Sequence, residues 1–300
     1  MISFIVLTYN SERTVQKCLE SISAQRCEKE IIVVDGGSTD KTVEIAKRQG
    51  TKIVTETSRF LGVPRNAGME HAKGEYIAFV DSDVVLPQGW LSIALEKIKK
   101  SKIIAGVGGP GISPEKGRVS DSLNFLYGKS IKTKESYVKS LPTMDLLYKR
   151  DVIKNQKFLD HLKTTEDVEF NFRLVKSGYK LLFSSDLYVY HYHPTNLRQM
   201  VKKWYNYGRN YAKPYMIHRE MIDSSFIIRV LYLPFILLFT ALSIFNQNLL
   251  LVPLLQIIAI FGVYAIIAVK IGENPLIFSA VHSIKQLAHM LGIFSSIIYL

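Results

Sequence analysis

Short apolar runs alternate with helix-like periodicity along roughly the first 110 residues of the chain. Each run is bounded by polar or turn residues, which predicts a β-strand. The five predicted strands are Ile2–Leu7, Glu30–Val34, Lys52–Val54, Glu75–Val80 and Ile103–Val107. Strands that alternate with helices predict an α/β fold with a mostly parallel central sheet. In such sheets, ligands bind at the carboxyl ends of the strands.

The last quarter of the chain contains two long apolar runs instead. Residues 226–245 carry one charge, Arg229, and residues 249–269 carry none. About 20 residues at 1.5 Å each cross the roughly 30 Å hydrocarbon core of a bilayer. We therefore predict transmembrane helices at about 226–245 and 249–269, and a third spanning or interfacial segment at about 276–300, which contains Lys285. A buried helical hairpin of a soluble protein is the alternative.

Charge is distributed unevenly between these two parts. The chain has 38 basic and 26 acidic residues, a net charge of +12, although 48% of its residues are hydrophobic. Residues 226–300 contribute only +2 of that charge. By the positive-inside rule, this distribution predicts an integral membrane protein whose first 225 residues face the cytoplasm. Two cysteines exclude a disulfide scaffold.

Basic and aromatic residues alternate just before the first predicted span. This pattern at 195–212 predicts an interfacial helix beneath the bilayer. Nucleic-acid binding is the competing interpretation of such a stretch. We disfavour it, and predict no nucleic-acid partner, because the stretch adjoins a membrane span.

Polar residues follow three of the predicted strands, at the edge where ligands bind. The three groups are Thr8-Tyr9-Asn10, Asp35-Gly36-Gly37-Ser38 and Asp81-Ser82-Asp83. Two carboxylates one residue apart repel each other unless a cation lies between them. Mg²⁺ and Mn²⁺ prefer oxygen ligands and often bridge to substrate phosphates. A solvated turn with two surface acids is the alternative interpretation of this last motif taken alone.

Four motifs occur in order along the first half of the chain. They are SFIVLTYN at 3–10, IIVVDGGSTD at 31–40, RNAG at 65–68 and GEYIAFVDSD at 74–83. The chain resembles the N-terminal half of a family 2 glycosyltransferase with the GT-A fold, closely over about residues 1–110 and more loosely to about residue 212. The resemblance implies an inverting, metal-dependent transferase that uses a nucleoside-diphosphate sugar.

The resemblance also implies roles for individual side chains. Thr8 and Tyr9 would pack around the base and ribose, and Arg65 would lie near the base or the phosphates. Asp35 would accept a hydrogen bond from the base, which suits the N3–H of uracil and favours a UDP-sugar. The full implied donor-binding set is Thr8, Tyr9, Asn10, Asp35, Gly36, Arg65, Asn66, Asp81 and Ser82.

The implied metal ion, Mg²⁺ or Mn²⁺, would neutralise the leaving diphosphate. Asp83 would bind it, with Asp81 and His191 as further ligands and His193 in reserve. A pair of surface histidines beside a proline turn is the plain alternative for His191 and His193.

The motif Thr165-Glu166-Asp167 resembles the T-E-D signature of inverting family members. That likeness implies that Asp167 is the general base and that Glu166 orients the acceptor or its loop. Acids favoured at a helix N-terminus are the alternative explanation of this motif.

We expect an acceptor that is embedded in the membrane and that binds near the basic second half of the catalytic domain. We predict a catalytic domain at 1–212, with a nucleotide-sugar-binding half at 1–110, an acceptor half at 111–194 and the interfacial helix at 195–212, followed by a membrane region at 213–300. The prediction is transfer of one sugar to a lipid-linked acceptor.

Three other functions remain open at this point. The signature Q-x-x-R-W of processive polysaccharide synthases is disrupted in the segment from Gln199 to Trp204, which disfavours processive synthesis. A polyprenyl-phosphate sugar synthase is a closer alternative, although the residues around Asp81 depart from its usual metal motif. A non-catalytic membrane scaffold is disfavoured because the four acids Asp35, Asp81, Asp83 and Asp167 are present.

Overall fold

The structure is a computed structural model that describes residues 1–124, 135–192, 194–271 and 274–298. The chain divides into two compact units. The catalytic unit comprises residues 1–114 and 124–192, and the C-terminal unit comprises residues 115–123 and 193–300.

An eight-stranded mixed sheet forms the centre of the catalytic unit, in the order β3-β2-β1-β4-β9-β6-β10-β8. Its strands are β1 Ile2–Thr8, β2 Lys29–Asp35, β3 Lys52–Thr55, β4 Tyr76–Asp81, β6 Ile104–Gly108, β8 Glu135–Val138, β9 Asp145–Lys149 and β10 Lys180–Ser184. Six of the eight strands are parallel to one another, whereas β8 and β9 run antiparallel to their neighbours. All five strands predicted from the sequence are present.

Three very short strands form a second sheet, in the order β5-β11-β7. They are β5 Val84–Val85, β7 Gly111–Ile112 and β11 Val189–His191. β11 runs antiparallel to β5, with His191 opposite Val84. This pairing brings residues that are more than 100 positions apart in the sequence to one corner of the unit.

Helices cover both faces of the large sheet. In the catalytic unit they are α1 Val15–Ser23, α2 Thr42–Arg48, α3 Gly62–His71, α4 Trp90–Lys99, α6 Arg150–Ile153 and α7 Glu166–Lys176. Side chains of β1 alternate between two hydrophobic clusters, with Phe4 in one and Ile5 in the other. Strands buried on both faces in this way explain the continuous apolar runs in the sequence.

The described part of the C-terminal unit is helical. Its helices are α5 Arg118–Asn124, α8 Leu197–Tyr211, α9 Lys213–Ile217, α10 Ser224–Leu242, α11 Leu251–Ile271 and α12 Pro275–Ile298. The last three are long and apolar enough to cross a membrane. Only 6% of the α10 and α11 spans is buried within the protein, against 50% for α12. The α10 and α11 helices are therefore largely exposed, whereas half of the α12 span is buried within its unit.

Helix α8 packs along α12 at very close range. A Cβ atom added at Gly208 of α8 would lie 2.0 Å from the carbonyl oxygen of His289. One added at Gly292 of α12 would lie 2.1 Å from the carbonyl oxygen of Tyr205. The two helices therefore approach backbone to backbone, as small residues permit in membrane proteins.

The predicted domain boundary at residue 212 stays a prediction. In the structure α8 is grouped with the C-terminal helices, because its partner is α12.

Candidate active site

The loops after β1 and β2 are joined through the carboxylate of Asp35. One oxygen accepts hydrogen bonds from the hydroxyls of Thr8 (2.9 Å) and Ser38 (2.6 Å), and the other accepts from the backbone N–H groups of Gly37 (3.0 Å) and Ser38 (2.8 Å). Asp35 is 2% exposed. Because a carboxylate offers about four acceptor positions, Asp35 has none left for a nucleobase unless Ser38 turns away. Its contact with uracil stays a prediction, and the structure gives it the task of shaping the loop.

Tyr9, Asn10 and Gly36 line the outer side of the same two loops. The ring of Tyr9 is 62% exposed, which leaves a face on which a base can stack. Asn10 accepts a hydrogen bond from the backbone N–H of Thr39 (2.9 Å). Gly36 donates its N–H to the Thr8 carbonyl at 2.8 Å, and a side chain there would meet the Tyr9 ring at 3.4 Å. The sequence-predicted residues of these loops are thus neighbours in the structure.

Asp81, Ser82 and Asp83 follow β4 and lie beside the first loop. The hydroxyls of Ser11 and Ser82 are 2.9 Å apart, and the thiol of Cys18 lies 3.5 Å from the Asp81 carbonyl oxygen. Burial and the nearby carboxylates of Asp83 and Asp81 raise the pKa of Cys18, so this thiol is neutral and does not act as a nucleophile.

His191 lies next to Asp83, and the role of the two as ligands of one ion, which the family resemblance implies, stays a prediction. The Nε2 atom of His191 lies 3.5 Å from Oδ2 of Asp83. The short sheet produces this contact, because Asp83 directly precedes β5 and His191 ends β11, its antiparallel partner. The backbone N–H of Tyr192 also donates to the Asp83 carbonyl at 3.2 Å. His193, the reserve ligand, lies outside the described residues.

Glu166 forms a buried ion pair with Arg65, at the start of α7. The side chains are 3% and 6% exposed. Burial raises the pKa of Glu166 to about 7, although the charge of Arg65 opposes the shift. Arg65 therefore faces the T-E-D motif, and its predicted contact with the donor stays a prediction.

Asn66 also faces the second half of the catalytic unit. Its side-chain amide donates to the carbonyl of Phe158 and accepts from the N–H of the same residue, both at 2.8 Å. The donor contact predicted for Asn66 likewise stays a prediction, because this pair of bonds uses both ends of the amide.

Asp167 lies in the first turn of α7, one residue beyond the ion pair. One of its oxygens accepts a hydrogen bond from the backbone N–H of Val168 at 2.8 Å. The positive end of a helix dipole stabilises a negative charge at this position. The charges of Asp167 and Asp81 both act on Glu166 and on Arg65. The structure therefore brings the T-E-D motif and the D-S-D motif to one end of the sheet.

Two non-glycine residues of the described chain have positive φ angles, and both belong to predicted site loops. Asn10 has φ of 48° and Thr165 has φ of 70°. Such conformations are uncommon for residues with a side chain, and they concentrate at functional sites. Thr165 sets the direction in which Glu166 and Asp167 leave the loop.

Asp145 is an acid near the site that the motif analysis missed. It begins β9, is fully buried and accepts a hydrogen bond from the N–H of Gly109 at 3.0 Å. Burial raises the pKa of Asp145, and the charge of Asp81 adds to the effect. Its one sequence signal is a lone acid at the head of the apolar run Asp145–Tyr148.

A groove lies at the other edge of the sheet. Its volume is about 920 Å³, and its lining includes Tyr76, Lys102 and Lys149. Tyr76 is the first residue of β4, so this groove lies at the amino ends of the parallel strands. Ligands of such sheets bind at the carboxyl ends, where all the motif acids lie, and size alone does not identify the site here.

The donor set at Asp83 fits a divalent cation held partly by substrate. Carboxylate oxygens and an imidazole nitrogen suit Mn²⁺ and, for the oxygens, Mg²⁺. Within the described residues, no group of three or more His, Cys, Asp or Glu side chains is arranged to hold an ion by itself. The pair Asp83–His191 therefore fits an ion that is completed by the oxygens of a diphosphate.

The profile of the family described as "Glycosyl transferase family 2" matches residues 3–158, more than half of the chain. That span contains the four ordered motifs and the strands that carry them. The chain belongs to glycosyltransferase family 2. It is an enzyme that transfers a glycosyl group.

Two archaeal relatives align with this glycosyltransferase over more residues than the family profile matches. The glycosyltransferase AglE of Haloferax volcanii is 27% identical over 237 residues, which cover 75% of this chain and 77% of the relative. A Methanococcus voltae protein is 29% identical over 276 residues, 83% of this chain and 82% of the relative. The latter is named dolichyl N-acetyl-α-D-glucosaminyl phosphate 3-β-D-2,3-diacetamido-2,3-dideoxy-β-D-glucuronosyltransferase.

Solved structures with low sequence identity share its fold. The mannosyltransferase PcManGT of Pyrobaculum calidifontis, solved with GDP-Man and Mn²⁺, gives a TM-score of 0.67 at 17% identity and covers 99% of this chain and 86% of its own. Residues 1–349 of Staphylococcus aureus TarS, solved with UDP-GlcNAc, give 0.58 at 20% identity and cover 99% and 92%. The glycosyltransferase has the GT-A fold with a C-terminal helical region.

Proposed function

We propose that this enzyme moves one sugar from a nucleoside-diphosphate sugar to a lipid-linked acceptor at the cytoplasmic face of a membrane, with inversion at the anomeric carbon. The observation that carries the catalytic part is the meeting of two distant motifs. His191 lies 3.5 Å from Asp83, and the charges of Asp81 and Asp167 both act on Glu166.

Asp167 is the proposed general base. Its carboxylate takes the proton from the acceptor hydroxyl while the acceptor oxygen forms a bond with C1 of the sugar. The bond from C1 to the diphosphate oxygen breaks on the opposite face, so the anomeric configuration inverts. The products are the glycosylated acceptor, the nucleoside diphosphate and a proton held on Asp167.

Residues of the chain would hold the base and the diphosphate of the donor. Tyr9 offers an exposed ring to the base, and Asp35 fixes the loop through four hydrogen bonds. Asp83 and His191, with Asp81, would hold the divalent ion, whose charge stabilises the leaving diphosphate when it is bound. The Arg65–Glu166 pair fixes the start of α7 and so the position of Asp167.

The lipid-linked acceptor is supported by the helices α10, α11 and α12, which are long and apolar enough to cross a membrane. It is also supported by the name of the Methanococcus relative, which describes transfer to a dolichyl-phosphate-linked sugar. The cytoplasmic orientation rests on the basic residues that precede α10, six from Arg198 to Arg219 against the two acids Glu220 and Asp223.

The test of the catalytic part compares Asp167→Asn with Asp160→Asn, an exposed acid of the same segment. We expect Asp167→Asn to lower the transfer rate by about 10²–10⁴-fold, because a general base contributes about that much. Its affinity for the nucleotide sugar should change little, and Asp160→Asn should match the wild type. Undiminished transfer by Asp167→Asn would refute the assignment.

The test of donor and acceptor uses the full-length enzyme in lipid nanodiscs. A panel of UDP- and GDP-sugars, each with Mg²⁺ or Mn²⁺, identifies the donor from its shift in unfolding temperature. The selected donor is then offered with a prenyl phosphate, a prenyl-phosphate-linked sugar or a water-soluble glycoside, and NMR of the product gives its anomeric configuration. Retention of configuration, or transfer only to the soluble glycoside, would contradict the proposal, and transfer to the bare prenyl phosphate would instead identify a polyprenyl-phosphate sugar synthase.

A further inference from the structure

Cationic and aromatic side chains alternate between α8, α10 and α12 in the C-terminal unit. The ammonium of Lys285 lies 4.5 Å from the ring centroid of Trp204, and that ring lies 6.0 Å from the imidazole of His289. His289 lies 5.1 Å from the ring of Tyr211, and the guanidinium carbon of Arg229 lies 5.7 Å from the same ring. We call these five residues the cationic–aromatic cluster.

No acid among the described residues forms an ion pair with the cations of this cluster. Lys285 and His289 are 7% and 8% exposed, and neither they nor Arg229 form an ion pair within the described residues. The charges that act on Lys285 and His289 are those of other members of the cluster. The neighbouring acid Asp223 is engaged as the N-cap of α10, where it accepts from a backbone N–H at 2.9 Å. Because a buried, unpaired charge is costly, the cluster favours an anion.

Buried polar side chains on α12 also favour an anion at this cluster. Ser279, His282, Lys285 and His289 recur at helical spacing, so they lie on one face of that helix. Ser279 and His282 are fully buried. The hydroxyl of Ser279 and the Nδ1 atom of His282 have no hydrogen-bond partner among the described residues. Buried polar groups are normally satisfied, and the Ser279 hydroxyl can donate a hydrogen bond to a bound oxyanion. Nε2 of His282 donates to the carbonyl oxygen of Ser122 at 3.0 Å, so its Nδ1 atom is an acceptor that suits a protonated phosphate oxygen.

The position of Arg229 indicates the depth of the cluster. Arg229 is the sixth residue of α10, roughly 8 Å along the axis from its first residue at 1.5 Å per residue. If α10 crosses the bilayer, this guanidinium lies where headgroup phosphates meet the acyl chains. The rings of Trp204 and Tyr211 are suited to the same boundary.

We propose that the cationic–aromatic cluster binds the phosphate that joins the acceptor sugar to its lipid. A phosphate accepts charge-assisted hydrogen bonds from guanidinium and ammonium groups, and the aromatic rings contact the first carbons of the lipid chain. This inference rests on the proposed lipid-linked acceptor and names the part of it that the enzyme holds.

The test measures binding rather than transfer, in the full-length enzyme. Farnesyl phosphate is the probe, and farnesol, which has the same chain without the phosphate, is its matched control. The fluorescence of Trp204 reports binding, because its ring contacts Lys285 directly. Loss of the signal in Trp204→Phe separates it from Trp90, the other tryptophan of the chain.

We expect saturable binding of farnesyl phosphate and at least about tenfold weaker binding of farnesol. Lys285→Gln and Arg229→Gln should each weaken farnesyl phosphate binding by about tenfold or more, and Lys285→Arg should retain it. Lys203→Gln removes a cation next to Trp204 that is outside the cluster, and should change the affinity less than twofold. Arg229 is exposed, so its variant stays informative even where a change at Lys285 impairs folding.

Three results would overturn the proposal. Farnesol could bind as tightly as farnesyl phosphate, both Gln variants could bind normally, or phosphatidylglycerol at an equal mole fraction could displace the probe. The last result would assign the cluster to bulk lipid headgroups. Because no sugar is transferred in this assay, phosphate-dependent binding supports the cluster even if the proposed acceptor reaction fails. Conversely, the enzyme could transfer sugar to a lipid-linked acceptor while Lys285→Gln and Arg229→Gln both bind farnesyl phosphate normally. That result would refute the phosphate site at the cluster and leave the proposed function standing.

Discussion

Replacement of Arg65 by Met is expected to destabilise the enzyme in a pH-dependent way. The methionine keeps an unbranched, apolar side chain beside the Phe158 ring, 5.8 Å from the guanidinium carbon, but it removes the charge that faces Glu166. Both side chains of the pair are almost fully buried. Removal of one partner from a buried pair costs about 3–5 kcal/mol, because the other charge is left uncompensated.

The sign of the pH effect follows from Glu166. Burial already raises its pKa to about 7 in the wild type, with Arg65 opposing the shift. Without Arg65 that pKa rises further. A carboxyl group whose pKa is higher in the folded state binds more protons when folded, so its contribution to stability is lost as the pH rises through the folded value. Between pH 7 and 8 the variant should therefore lose up to about 1.4 kcal/mol of stability. The wild type should lose less, because its Glu166 is already partly ionised at pH 7.

The assay is denaturant unfolding of the full-length enzyme in detergent at pH 6, 7 and 8. The double variant Arg65→Met with Glu166→Gln removes both charges and should lose the pH dependence. Lys157→Met breaks an exposed pair with Glu70 and should have little effect. If Arg65→Met is no more destabilising than Lys157→Met, and equally so at pH 6 and 8, the assignment of a buried ionic pair is wrong.

The same variant separates two tasks for Arg65. If Arg65 positions the T-E-D motif, as its contact with Glu166 indicates, Arg65→Met should lower kcat more than it raises the KM for the nucleotide sugar. If it contacts the donor, as the family resemblance implies, the KM for the nucleotide sugar should carry most of the loss.

Three further substitutions test the loops, the metal pair and the helix packing. Asp35→Asn places an amide N–H₂ against groups that donate to Asp35, so it should lower the free energy of unfolding by about 1–3 kcal/mol and weaken nucleotide-sugar binding; unchanged values of both would contradict the loop role. His191→Asn should weaken Mn²⁺ binding in the presence of the nucleoside diphosphate by tenfold or more, as titration calorimetry would show, whereas His161→Asn, at an exposed histidine, should not. Gly208→Ala would place a Cβ atom 2.0 Å from a carbonyl of α12 and should destabilise the enzyme by about 1–3 kcal/mol. Gly262→Ala, on a helix face with nothing within 4 Å, is the matched control and should be neutral or stabilising in the same thermal unfolding assay.

Local pattern was sufficient for five of the eight strands of the large sheet and for the long helices. Four of the five predicted strands are largely buried, and β3 is the exception. Helix α1 buries Val15, Cys18, Leu19 and Ile22 at the helical spacing that its sequence shows. β9 was missed because it pairs with β4 and β6 in the antiparallel direction, a choice that depends on distant partners. The strands of the small sheet have two or three residues each, too few for any periodicity to appear.

The sequence motifs located the site, but they could not by themselves give the role of each side chain in it. The contact of His191 with Asp83 was expected from the family resemblance, and the short strands β5 and β11 explain how it forms. Arg65 and Glu166 are 101 positions apart, and only their burial shows that each is committed to the other. A polar residue in a motif can serve the substrate or the loop that holds the substrate, and the sequence is the same in both cases. Burial and the acceptor positions already occupied show that Asp35 and Arg65 hold the loops, while their predicted contacts with the donor stay predictions.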